Sequence, residues 1–135
     1  MIPSNITVLL AVEPVDMRRS FDGLARAVEE RLGLKPESER KMFVFVNRRR
    51  DMMKLLWRDA SGWCLLAKRL DEREVPLPRD IAAGARSVQV DGRTLAAMLD
   101  GVLRRRNETA RTVAHDARAA ANIVRKSLRT TQPSS

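Results

Sequence analysis

The chain has 135 residues, enough for one domain with a modest core and too few for two. Its 26 Lys and Arg against 17 Asp and Glu leave a net charge of +9, which points to a polyanionic partner, nucleic acid first. One cysteine and one histidine exclude an intrachain disulfide framework and a structural zinc site, and no apolar run approaches the ~20 residues of a membrane span. With no secretory signal at the N-terminus either, a cytoplasmic protein without membrane association is expected.

Ile6 to Val12 is a β-branched and aliphatic run between Pro3 and Pro14 and suits a buried strand. Phe21, Leu24, Ala25, Val28 and Leu32 then recur at helical spacing, which predicts a helix capped by Asp16 or Ser20 and ended by Gly33 ahead of Pro36. Three strands are expected next, about 42–46, 53–58 and 63–70, separated by Asn47-Arg48-Arg49-Arg50-Asp51 and by Asp59-Ala60-Ser61-Gly62. Such short separations predict an antiparallel meander and put the arginine triplet at a hairpin tip. The prolines of Val75-Pro76-Leu77-Pro78 impose an extended stretch, and Ser87 to Val90 suits a last edge strand. Thr94 is placed to cap a helix with apolar positions Leu95, Met98, Leu99, Val102 and Leu103.

From Gly101 onward eight basic side chains stand against two acidic ones, so this last quarter supplies +6 of the +9. Its apolar positions are mostly alanine, which favours helix but buries little area. The expected fold is therefore α+β: a small antiparallel β-meander with flanking helices over residues 1–102, and a basic helical or partly disordered C-terminal extension over 103–135.

Between Arg40 and Arg69 nine Lys or Arg meet two Asp, threaded through an apolar pattern that holds both tryptophans. Cations fixed at the turns and edges of strands form a display that can follow a phosphate backbone. The candidate DNA-binding residues are Arg48, Arg49 and Arg50 at the hairpin tip with Lys54, Arg58, Lys68 and Arg69 on the adjacent strands. The competing reading is a solvated face with Asp51 or Asp59 as local partners. Trp57 and Trp63 either stack on unpaired bases or belong to the core.

Catalysis has thin support. His115 lies in the alanine-rich tail with no cysteine near it, Cys64 reads as a small buried hydrophobe, and no phosphate loop or nucleophile elbow occurs. Asp16, Asp22, Asp51 and Asp59 are the carboxylates that could hold magnesium, and three of them have a turn or cap reading. A non-enzymatic protein with no cofactor is expected.

One further pattern spans most of the chain. It runs from Asp16-Met17-Arg18-Arg19-Ser20-Phe21-Asp22-Gly23-Leu24-Ala25 to Phe43-Val44-Phe45 with Arg48-Arg49, then Lys54-Leu55-Leu56-Trp57, Asp59, Gly62 and Lys68-Arg69-Leu70. In that order these motifs resemble the TnpB-type accessory protein of the insertion sequence 66 family over about residues 1–102. The resemblance implies a role in transposition beside a separate, larger transposase that carries the acidic catalytic residues. Asp16, Arg18, Phe21, Asp22 and Gly23 match the first motif, and Arg48, Arg49, Lys54, Trp57, Lys68 and Arg69 the second, with no job assigned to any of them. Two departures stand out: Arg58 intervenes between Trp57 and Asp59, and the segment after Val102 is unlike the usual short ending. The expected function is a non-catalytic accessory protein that binds element ends or non-specific duplex DNA and assists the transposase. Its alternatives are a module that docks on the transposase without touching DNA, and a metal-dependent nuclease using Asp16 and Asp22.

Overall fold

The computed structural model describes residues 5–104. Strand β1 (Thr7–Ala11) leads to helix α1 (Phe21–Ala27), which widens into a π-helical turn over Val28–Leu32. Strands β2 (Lys41–Val46), β3 (Met52–Arg58), β4 (Trp63–Arg69) and the short β5 (Arg73–Glu74) follow, then β6 (Ser87–Val90), helix α2 (Gly92–Asp100) and β7 (Val102–Leu103). Five strands form one sheet in the order β4-β3-β2-β1-β6, and β5 pairs with β7 in a separate ribbon.

The meander of β2, β3 and β4 is antiparallel as the short turns require. The sheet as a whole is mixed. β1 runs parallel to β2, with Thr7 opposite Lys41 and Leu10 opposite Val44, and residues 12–40 make the crossover through α1. A link of that length has room for a crossover helix, so the all-antiparallel expectation gives way to a βαβ unit extended by a hairpin. β6 closes the other side of β1 in antiparallel register.

Every residue from Met42 to Val46 is buried, because β2 lies mid-sheet with both faces covered. Phe43 and Phe45 face α1 and pack among Leu24, Ala27, Val28 and Leu56. Met42, Val44 and Val46 face the other way, toward Val8, Leu10, Leu55, Trp57 and Met98 of α2. A side chain of this kind contributes about 1.5–3 kcal/mol on full burial, so the two apolar layers hold the sheet between its helices.

The helix ends differ from expectation in detail. Ser20 occupies the N-cap position of α1 without a side-chain cap bond, Asp16 being engaged elsewhere, while Gly33 closes the π turn at φ 68°. At α2 the cap is Asp91, whose Oδ1 accepts the Thr94 N–H at 2.7 Å, so Thr94 donates where it was expected to cap. That bond holds the Asp91 carboxyl below the usual carboxylate range. α2 stops at Asp100 and does not continue through Val102 and Leu103. Gly101 adopts φ 73° and ψ 168°, a region essentially open to glycine alone, and sends Val102 and Leu103 to pair with Glu74 and Arg73. A Cβ at Gly101 would stand 2.8 Å from Leu70 Cδ1. Gly101→Ala is accordingly expected to cost about 1–3 kcal/mol, seen as a lower urea midpoint at unchanged slope. An unmoved midpoint would contradict it.

Beyond Arg104 the expected basic tail lies outside the described residues. No helix among those described is long and apolar enough to cross a membrane.

Candidate nucleic-acid interface

The turn between β2 and β3 is built by its first residue. Asn47 Oδ1 accepts the main-chain N–H groups of Asp51 and Met52, both at 3.1 Å, and its Nδ2 donates to Asp51 Oδ1 at 2.6 Å. A short amide that bonds its own backbone is the usual means of fixing such a turn. Arg50 then takes a left-handed φ of 60°, and the triplet divides. Arg48 and Arg49 stay exposed, with Arg49 Nε 3.8 Å from Asp51 Oδ2. Arg50 turns to β5 instead: its Nη2 lies 3.6 Å from Glu74 and its carbonyl accepts the Val75 N–H at 2.7 Å.

A second loop reaches the same place from the end of β1. The Val15 N–H donates to the Val46 carbonyl at 3.0 Å and ties this loop to the end of β2. Asp16 receives four bonds from Arg18: the main-chain N–H at 2.9 Å, Nε at 3.1 Å to each oxygen, and Nη2 at 2.7 Å. The Arg18 hydrogen bonds, side chain first, hold the Asp16 carboxyl at about 2. The guanidinium still has 92% of its side-chain surface exposed, so it is oriented by Asp16 without being covered.

Arg18, Arg48, Arg49 and Arg69 line one shallow cleft of about 570 Å³, together with Met17 and Met52. It lies at the loops that follow the two parallel strands, the end of an α/β sheet at which ligands usually bind. Asp16 is the carboxylate in its lining, and Asp51 braces Arg49 from within the turn.

The remaining candidates go elsewhere. Lys54 is buried at 9% exposure, with Nζ donating to the Arg19 carbonyl at 2.6 Å, so it pins the β1–α1 loop and does not join the exposed display. Arg58 sits at the far end of β3 with its guanidinium 5.4 Å from the Trp63 ring centroid. Lys68 pairs with Met53 and therefore faces the side of the sheet opposite to Arg69. Trp57 is a core residue, 3% exposed, which removes it as a base-stacking platform, and Trp63 is half-buried beneath Arg58. Phe21 and Asp22 are exposed at the start of α1, and Gly23 lies against Arg19.

Cys64 donates to Asp59 Oδ2 at 3.5 Å, and burial first, then that bond, push its thiol up. It stays protonated at neutral pH and unsuited to attack. Among the described residues no three His, Cys, Asp or Glu gather closely enough to hold a metal ion, and Asp16 is taken by Arg18. Of the two carboxylates weighed for the nuclease alternative, Asp16 is bonded to Arg18 and Asp22 stands exposed at the start of α1.

The Asp16–Arg18 pair makes a pH prediction. A carboxyl depressed on folding contributes its stabilisation in full above its ordinary value near 3.9 and loses it as the pH falls toward the folded value. Carboxyl-carbon NMR should show Asp16 titrating near 2 in the native protein and higher after Arg18→Gln, which removes the guanidinium and keeps the main-chain N–H bond. A native midpoint near 4 would remove the pair.

The sequence profile of the IS66 Orf2-like proteins matches residues 6–109. The chain belongs to this family. An uncharacterized protein of Sinorhizobium fredii, y4hO, is 35% identical to this IS66 Orf2-like protein over 104 residues, 76% of this chain and 87% of that one. No solved structure matches. The family is one of accessory proteins and not of known enzymes, so membership assigns this IS66 Orf2-like protein a coarse role beside the element's transposase. Arg18, a first-motif position with no role assigned from sequence, is the cleft arginine that lies outside the basic segment 40–69. The signal for it was the Asp-x-Arg spacing at 16–18, which lets one guanidinium fold back on the carboxylate.

Proposed function

We propose that this IS66 Orf2-like protein binds DNA phosphates through the arginine cleft and so helps a separate transposase assemble on element ends. The observation that carries the reading is the convergence of Arg18, from the first family motif, with Arg48, Arg49 and Arg69 from the second on one cleft. Guanidinium forks match phosphate oxygens in a way that single ammonium charges do not. Base stacking has less support, since Trp57 is buried and Trp63 is covered by Arg58. Phosphate contacts set register and carry no sequence information, so the cleft accounts for affinity to any duplex.

The test is fluorescence anisotropy of the full chain with a labelled element-end duplex and a scrambled one across a salt series. Both should bind, with affinity falling steeply as salt rises. Preference for the element end would add sequence or shape readout. Failure to bind at low salt would overturn the reading. A second reading rests on Asp16, which is a carboxylate already held by one of the four arginines. On that reading the cleft takes acidic side chains of the transposase, and the chain binds purified transposase without DNA.

A further inference from the structure

β4 is the outermost strand of the sheet, and its free edge can be read residue by residue. The Asp59 N–H donates to the Gly62 carbonyl at one end of the hairpin, and the Leu70 N–H to the Asp51 carbonyl at the other. With Trp57 opposite Cys64, Leu55 opposite Leu66 and Met53 opposite Lys68, the main-chain groups of Cys64, Leu66 and Lys68 turn inward to β3. Those of Trp63, Leu65, Ala67 and Arg69 turn outward, and no strand among the described residues covers them. At the midpoint of this row Leu66 is 41% exposed, so an apolar side chain stands beside an unused ladder.

We propose that this edge pairs antiparallel with the same edge of a second copy, about a two-fold axis at Leu66. That axis sets Leu65 opposite Ala67 of the second copy and Trp63 opposite Arg69 of the second copy. All four outward residues of each strand then find partners, with about eight main-chain hydrogen bonds formed. An axis at Leu65 or Ala67 leaves one outward residue of each strand unpaired, and an axis at Lys68 opposes two ammonium groups. Charge favours the same register. Lys68 of the second copy comes opposite Cys64, whose sulfur lies 3.5 Å from the Asp59 carboxylate. Asp59 is fixed there by the N–H groups of Ser61 and Gly62, both at 2.9 Å. A lysine on an edge strand commonly blocks pairing, but in this register it meets an acidic turn.

The consequence reaches the arginine cleft. A two-fold axis perpendicular to a sheet keeps each face on its own side, so both copies of Arg69 share one face of a ten-stranded sheet, about 20 Å apart along the strands. Two clefts on one side can engage one duplex at two points.

Sedimentation of the full chain without DNA tests the pairing independently of phosphate binding, so its failure would leave the cleft reading intact. Twice the chain mass is expected for the native protein and half of that for Leu66→Lys. In a Cys64→Ser background, Leu66→Cys brings two thiols face to face at a separation suited to a disulfide, and mild oxidation should join most chains. Ala67→Cys, one residue along and opposite Leu65, should stay largely uncrosslinked. A single-chain mass at the highest soluble concentration would overturn the proposal. So would a dimer in which Leu66→Cys fails to crosslink, or in which both cysteine variants crosslink equally.

Discussion

Replacing Arg18, Arg48, Arg49 and Arg69 together with Gln is expected to reduce the log–log salt slope of DNA binding by about 3 to 4 units, because each phosphate contact contributes about 0.9. At physiological salt this leaves little measurable affinity for any duplex. The fold should be untouched, since Arg18 and Arg49 expose 92% and 78% of their side chains and exposed substitutions of this kind change stability by only about 0.5 kcal/mol. Arg18→Gln has a second effect in the same direction. It releases the Asp16 carboxylate into the cleft, where it repels phosphate. Arg58→Gln with Arg93→Gln is the control, removing charge from the far end of β3 and from the exposed start of α2, both outside the cleft. If the net charge of +9 acted only as a diffuse field, each charge lost would weaken binding alike, wherever it sat. Anisotropy titrations at four or five salt concentrations separate the two cases. Equal loss of slope per charge removed in the cleft and control variants would refute the cleft.

The hairpins of β2, β3 and β4 were legible because their pairing is local: turns of a few residues with Asn, Asp and Gly leave the flanking apolar runs no other partner. The place of β1 was not, since its parallel pairing with β2 spans residues 12–40 and no short-range pattern encodes it. A signal was nevertheless present. Met42 to Val46 is apolar at every position, where a strand with one wet face would alternate, and that marks β2 as central and covered on both sides. The end of α2 turned on Gly101, a helix position by spacing whose backbone angles no other residue adopts easily. The site was legible as composition and not as geometry. Arg48, Arg49 and Arg50 are adjacent in sequence, yet the positive φ of Arg50 sends it to Glu74 and leaves two of the three for the cleft. Alternation along β4 likewise parts Lys68 from Arg69, which a count of basic residues treats as one feature.

Lys54→Glu is expected to be among the most damaging single substitutions in the chain, at about 3 to 5 kcal/mol, the usual penalty for a buried charge stripped of its partner. Lys54 lies between Phe45 and Ala67 in the sheet, on the face where Leu56 packs beneath α1, and only 9% of it is exposed. Its ammonium donates to the Arg19 carbonyl at 2.6 Å, so the amine closes the gap between the sheet and the loop that carries Asp16 and Arg18. A glutamate there would set a carboxylate against that carbonyl oxygen with no donor in its place. In a domain of this size the loss corresponds to about 15 to 30 °C in melting temperature. Lys54→Met makes the informative comparison. It keeps an unbranched apolar stem against Phe45 and gives up one charge-assisted bond while relieving the burial of a charge, so its net cost should stay within about 2 kcal/mol. The loop is then untied from below, and DNA affinity should fall in a protein that remains folded. Thermal unfolding followed by circular dichroism, with anisotropy on the same samples, reads both effects. A Glu variant as stable as the native chain would mean that the Lys54 head reaches water, and a Met variant with native affinity would mean that the loop holds Arg18 in place without it.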